Sequence, residues 1–167
     1  MDCSDEPGLC PFLRFPITGI TYEQAEEFCK WRTKVLGNGK IEFRLPSESE
    51  WKNFAVIGLS PDEKKNGYRD SIYSNGCPMY NYKYSNPCER FLNAGLELPR
   101  QIGVVRFMKD KNGAFDVFGN VSEMTNIKGI AKGGNYKTFA NQSNVDSIQK
   151  YNKPEIWLGF RCISIIR

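Results

Sequence analysis

The sequence predicts a single α+β domain of two helices, short antiparallel strands and long loops, stabilised by disulfides. Three observations lead there. Of 167 residues, 15 are Gly and 9 are Pro, spread along the chain, so regular elements are short and turns frequent. Two segments carry a helical apolar period behind a capping signal. Six cysteines, Cys3, Cys10, Cys29, Cys77, Cys88 and Cys162, are dispersed without a CxxC spacing. That arrangement suits disulfides in an oxidising compartment better than a zinc or thioredoxin-type site. The count alone leaves fifteen pairings open, and scattered buried thiols in a cytosolic protein are the alternative.

Residues 1–15, with Pro7, Gly8 and Pro11, read as an irregular arm clipped by a Cys3 to Cys10 bond, and the domain proper runs over 16–167. The first helix opens at Thr21, with Gln24 placed for a capping box. Ala25, Phe28 and Cys29 form its apolar face, Glu23, Glu26, Glu27 and Lys30 point to water, and Gly37-Asn38-Gly39 ends it after Leu36. Ile41 to Leu45 alternates as a strand does, and Pro46 stops it. A second helix follows Ser47, again with a capping box to Glu50, and buries Trp51, Phe54 and Ala55. Arg44 and Glu50 flank this turn and are expected to pair. Between Gly58 and Gly103 no period survives, so a staple is expected there, and a Cys77 to Cys88 bond would provide it. Tyr73, Tyr80, Tyr82 and Tyr84 in this stretch are the candidate binding surface, because tyrosine brings apolar area and a hydroxyl at low entropic cost. The competing reading is that they pack the loop. Strands are expected at 102–108, within 114–124, at 130–135 and as one terminal strand over 157–166.

Composition excludes several functions. There is no histidine, which removes the Ser/His/Asp triad and the His-based zinc site. The net charge of +4 comes from interleaved signs without a basic run, so nucleic acid is not an expected partner. No stretch approaches the roughly 18 apolar residues of a membrane span, and Met1-Asp2-Cys3 is not a leader, so the chain reads as a mature or truncated soluble piece.

Five segments together resemble the formylglycine-generating-enzyme (sulfatase-modifying-factor) family. They are Pro16 to Thr21 leading into Ala25, Phe28, Cys29, Lys30 and Trp31; Phe43-Arg44-Leu45-Pro46-Ser47-Glu48-Ser49-Glu50-Trp51; Asp116 to Met124; Lys132-Gly133-Gly134-Asn135-Tyr136; and Gly159-Phe160-Arg161-Cys162. The resemblance covers about residues 16 to 166 and implies a C-type-lectin-like fold without the family's usual leading segment. It also implies a calcium ion on Asp116, Gly119, Val121 and Glu123, with Asp116 standing where relatives often have Asn. The residues agree with that reading, since two carboxylates bracket a glycine-containing turn and hard cations take carboxylate and carbonyl oxygens. A solvated turn with Glu123 as a cap is the alternative. A disulfide from Cys29 to Cys162 is implied in the same way.

Family oxidases carry two copper-binding cysteines shortly after the Gly-Gly block, and Thr138 and Ser143 occupy those positions here. Hydroxyls are neither soft copper(I) ligands nor thiolates, so no copper and no oxidase activity are expected. The family's iron-dependent sulfoxide synthases need histidines that this chain lacks. A non-catalytic binding or structural protein of the cell envelope or exterior follows. The segment Phe28 to Thr33 is similar to lipoproteins of gliding-motility and type IX secretion machinery, which implies a protein partner in an envelope-associated assembly. The alternatives are an oxidoreductase with altered catalytic residues and a diversified ligand-binding protein, variable around Lys137 to Lys153.

Overall fold

The computed structural model describes residues 15–68, 80–83 and 113–166, and within them each helix starts where a side chain can serve the unpaired N–H groups of its first turn. Helix α1, Tyr22–Leu36, is capped reciprocally: Gln24 N donates to Thr21 Oγ1 at 3.1 Å, and Thr21 N donates to Gln24 Oε1 at 2.8 Å. Helix α2, Glu48–Gly58, repeats the device with Ser47 and Glu50. Glu50 also takes a two-pronged ion pair from Arg44, at 2.7 and 2.9 Å, which fastens the strand before the helix to its first turn and pulls the Glu50 carboxyl down to about 2.

A third helix, α3 over Pro61–Asn66, corrects the expectation of two helices and of irregular chain from Gly58 onward. Apart from Pro61 its residues are all polar, so it carries no apolar period to detect. It exists through its ends: Ser60 and Glu63 form a capping box, Pro61 sits in the first turn, and Gly67 closes it with φ 71°.

Strand β1 (Ile41–Arg44) pairs antiparallel with β6 (Ile163–Ile166). A second sheet has the order β4-β3-β2-β5, with β2 at Ser122–Met124, β3 at Ile130–Lys132, β4 at Gln149–Lys150 and β5 at Leu158–Phe160. The strands are not all antiparallel, because β2 and β5 run parallel, with Glu123 opposite Gly159. Nor is 157–166 one strand. The chain leaves the second sheet after Phe160 and joins the first at Ile163, and Arg161 at the break turns aside to an ion pair with Glu123.

Two apolar clusters fill the interior. Ala25, Cys29, Leu45, Met124, Ala131 and Leu158 pack α1 against the second sheet, and Trp51, Leu59, Val117, Phe118 and Val145 gather about α2. Tyr80 and Tyr82 belong to the α2 cluster and are only 8% and 3% exposed, which corrects their assignment to a binding surface. The reason is local. Asn120 N donates to Asn81 O at 2.8 Å, and a side chain at Gly119 would bring its Cβ within 2.7 Å of that oxygen, so the glycine lets the 80–83 segment lie directly on the 119–120 turn with its rings inward. Tyr73, Tyr84, Cys3, Cys10, Cys77 and Cys88 lie outside the described residues.

Candidate functional site

The segment from Asp116 to Glu123 winds tightly. Asp116, Gly119 and Asn120 all have left-handed φ values, 52°, 77° and 60°. Gly119 N donates to Gly133 O at 2.8 Å, Asn81 Nδ2 donates to Asn120 Oδ1 at 3.0 Å, and Asn120 Nδ2 donates to Asp116 Oδ2 at 3.0 Å. Val117 and Phe118 anchor the turn in the core. Strand β2 then carries Glu123 inward, where its carboxylate accepts from Trp51 Nε1 at 2.9 Å and from Arg161 Nε and NH2 at 3.0 and 2.7 Å. Arg161 NH2 donates in addition to Phe115 O at 2.9 Å. Nothing local in the sequence marks this role of Arg161. Its signal is weak, because its partner lies 38 positions away on another element.

As a calcium ligand set the block divides. Burial pushes the Asp116 carboxyl up to about 7, against the lowering effects of Asn120 and Arg161, and a divalent ion is the kind of partner that returns such a group to its ionised form. An ionised carboxylate is the hard oxygen donor that such a cation takes. Glu123 fits less well, since its hydrogen bonds to Trp51 and Arg161 fill about four lone-pair sites, the capacity of a carboxylate. Among the described residues no three acidic or sulfur side chains converge, so carbonyls and water would complete any shell.

The raised Asp116 predicts a pH dependence of defined sign. The folded chain holds this proton up to about pH 7 and the unfolded chain only to 3.8, so its contribution is full below pH 3.8 and is lost as pH rises towards 7. In chelator, wild type should lose on the order of 2–4 kcal/mol relative to Asp116→Asn between pH 4 and pH 8, measured by urea unfolding. Parallel profiles for the two proteins would refute it.

At the other family position, Thr138 Oγ1 and Ser143 Oγ lie 2.8 Å apart. The Thr138 hydroxyl accepts from Asn135 N at 2.8 Å and faces Asn135 O at 2.9 Å, and Ser143 Oγ donates to Phe139 O at 3.0 Å. Ser143 is fully buried. The two hydroxyls close the loop after Gly134. Gly134 has φ 68°, and a Cβ there would collide with Ser143 Oγ and Cβ. Gly134→Ala is therefore expected to cost at least about 2 kcal/mol in thermal unfolding, from strain and collision together; a neutral substitution would show that the loop is loosely held.

Cys29 Sγ and Cys162 Sγ lie 2.9 Å apart across 133 positions of sequence. The contact with Cys162, reinforced by burial, pushes the Cys29 thiol up. Cys162 is held below the ordinary thiol range by the Cys29 contact, with Arg32 adding to it. Cys162 also lines a cleft of about 510 Å³ between α1, the Asp116 turn and the β5–β6 break.

Residues 12–166 match the Sulfatase-modifying factor enzyme 1-like domain, and the chain belongs to that family. Among solved structures it is similar to PvdO from Pseudomonas aeruginosa (17% identity, TM-score 0.62, over 90% of this chain and 62% of PvdO). It is also similar to Treponema denticola variable protein 1 (17%, TM-score 0.61, over 92% of this chain and 72% of that one) and to CarF (16%, TM-score 0.66, over 100% and 71%). At these identities the likeness concerns the fold, and the chain spans less than two thirds of PvdO. No curated protein matches.

Proposed function

We propose that this chain is a non-catalytic member of its family, a binding or structural domain working outside the cytoplasm. The observation that carries this reading is the Thr138–Ser143 hydroxyl pair, 2.8 Å apart and engaged with Phe139 O and Asn135, at the positions of the family's copper-binding cysteines. A soft ion needs thiolates, and neither hydroxyl supplies one. The test is a copper(I) titration against a competing chelator. Wild type should take up no copper at this site, while the Thr138→Cys/Ser143→Cys double variant should gain one ion per chain; copper uptake by wild type that is lost in Thr138→Val would overturn the reading.

Cys29 and Cys162 form a disulfide in this proposal, supported by the proximity of their sulfurs and consistent with an oxidising compartment. Calcium is held by Asp116 and the Gly119 and Val121 carbonyls, where it would supply charge neutralisation and rigidity. Glu123 stays with Arg161 as a neighbouring anion. Millimolar calcium should raise the melting temperature above its value in chelator for wild type and not for Asp116→Ala; no shift for wild type would retire the ion. In this proposal the partner is a protein of an envelope-associated assembly, a reading supported by the resemblance of Phe28 to Thr33 to gliding-motility and type IX secretion lipoproteins. No helix among the described residues is long and apolar enough to cross a membrane.

A further inference from the structure

The cleft beside Cys162 is distinct from the Thr138–Ser143 loop; one wall is the Asp116 turn, and the opposite wall, formed by Ile17, Phe28 and Arg32, belongs to neither the turn nor the loop. Its walls are apolar: Phe28 and Phe160 meet edge to face with ring centroids 5.4 Å apart, and Ile17 stands beside them, 58% exposed. Its volume of about 510 Å³ lies within the roughly 300–1,000 Å³ of small-molecule pockets.

The charges along it are uneven. Arg161 and Glu123 both line the cleft and cancel in their own ion pair at 2.7 Å. The Asp116 carboxyl, a third liner, is engaged by the Asn120 amide. Arg32 differs. It lines the cleft with its guanidinium over the Phe43 ring, 4.7 Å from the centroid, and its Nε–H is buried without a hydrogen-bond partner. Among the described residues no carboxylate pairs with it, and the Cys162 sulfur, a weak acceptor, is its polar partner. A guanidinium offers five donors in a fork that matches a carboxylate, and a cation kept half out of water without an anion is an energetic deficit that a ligand can relieve.

We propose that this cleft binds a small amphiphilic carboxylate, its anionic head on Arg32 and its apolar body between Ile17, Phe28 and Phe160. The inference does not depend on whether Thr138 and Ser143 are catalytically silent.

Three probes with one tail and different heads test it: octanoate, octanol and octylamine, titrated against the full chain by ligand-observed NMR. Chelator is present throughout, so that no metal bridges the carboxylate to Asp116. Octanoate should bind about tenfold more tightly than octanol, the fold-change of one charge-assisted contact, and octylamine most weakly. Arg32→Met should erase the octanoate advantage while leaving octanol unchanged, and Arg32→Lys should keep part of it. Ile17→Glu, at an exposed position that leaves Arg32 intact, should weaken octanoate more than octanol, and it decides the matter if Arg32→Met does not fold. Equal binding of the three probes, a preference for the amine, or an advantage that survives in Arg32→Met would overturn the proposal.

Discussion

Replacing Cys29 and Cys162 together by serine is expected to lower stability by about 4–5 kcal/mol, the chain-entropy value for closing so long a loop. In a domain of this size that corresponds to roughly 10–15 °C in melting temperature. The proposed bond would join the middle of α1 to the break between β5 and β6, 133 positions apart, and so would restrain most of the unfolded chain. Cys29 packs among Ala25, Leu45, Met124 and Leu158, and the serine hydroxyl would add an unsatisfied polar group there. The double variant isolates this link from the other four cysteines, which bulk reduction would not. Thiol titration of the denatured, unreduced wild type should find essentially no free cysteine. A double variant as stable as wild type, with two reactive thiols in the wild-type chain, would contradict the disulfide.

Glu123→Ala is expected to cost about 3–5 kcal/mol in urea unfolding, because it leaves the Arg161 guanidinium half-buried without its anion. The carboxylate is 4% exposed and joins α2 through Trp51, β2 through its own backbone, and the β5–β6 break through Arg161. Three elements lose a common anchor at once. Glu123→Gln, which keeps the shape and can still accept from Trp51, should cost less than alanine but more than 1 kcal/mol, since the charge-assisted bonds are lost. If both substitutions cost under about 1 kcal/mol, the knot is ornamental and the β5–β6 break has another cause.

What the sequence revealed follows the range of the interaction. The capping boxes of Thr21 with Gln24 and Ser47 with Glu50 act within one helical turn, and they are readable because cause and effect lie three residues apart. The same signal begins α3 at Ser60 and Glu63, yet Pro61 to Asn66 has no apolar stripe, so attention to periodicity passes over it. Tyr80 and Tyr82 mislead for the opposite reason. A tyrosine-rich loop resembles an interface, and only the contact of Asn81 with the Gly119–Asn120 turn, 39 positions on, turns the rings inward. Arg161 and Glu123 are likewise a property of the folded chain. The pairing of Thr138 with Ser143 has no local signature, since two hydroxyl residues five positions apart mark nothing without the family resemblance.

The most direct test of non-catalytic function is an oxidation assay with the whole chain. A cysteine-containing sulfatase-type peptide, copper, a thiol reductant and dioxygen are incubated with the protein, and the peptide is examined by mass spectrometry for conversion of the thiol to an aldehyde. Wild type should leave the peptide unchanged over background. Catalytic turnover of the peptide, abolished by substitution of Thr138 or Ser143, would contradict the account.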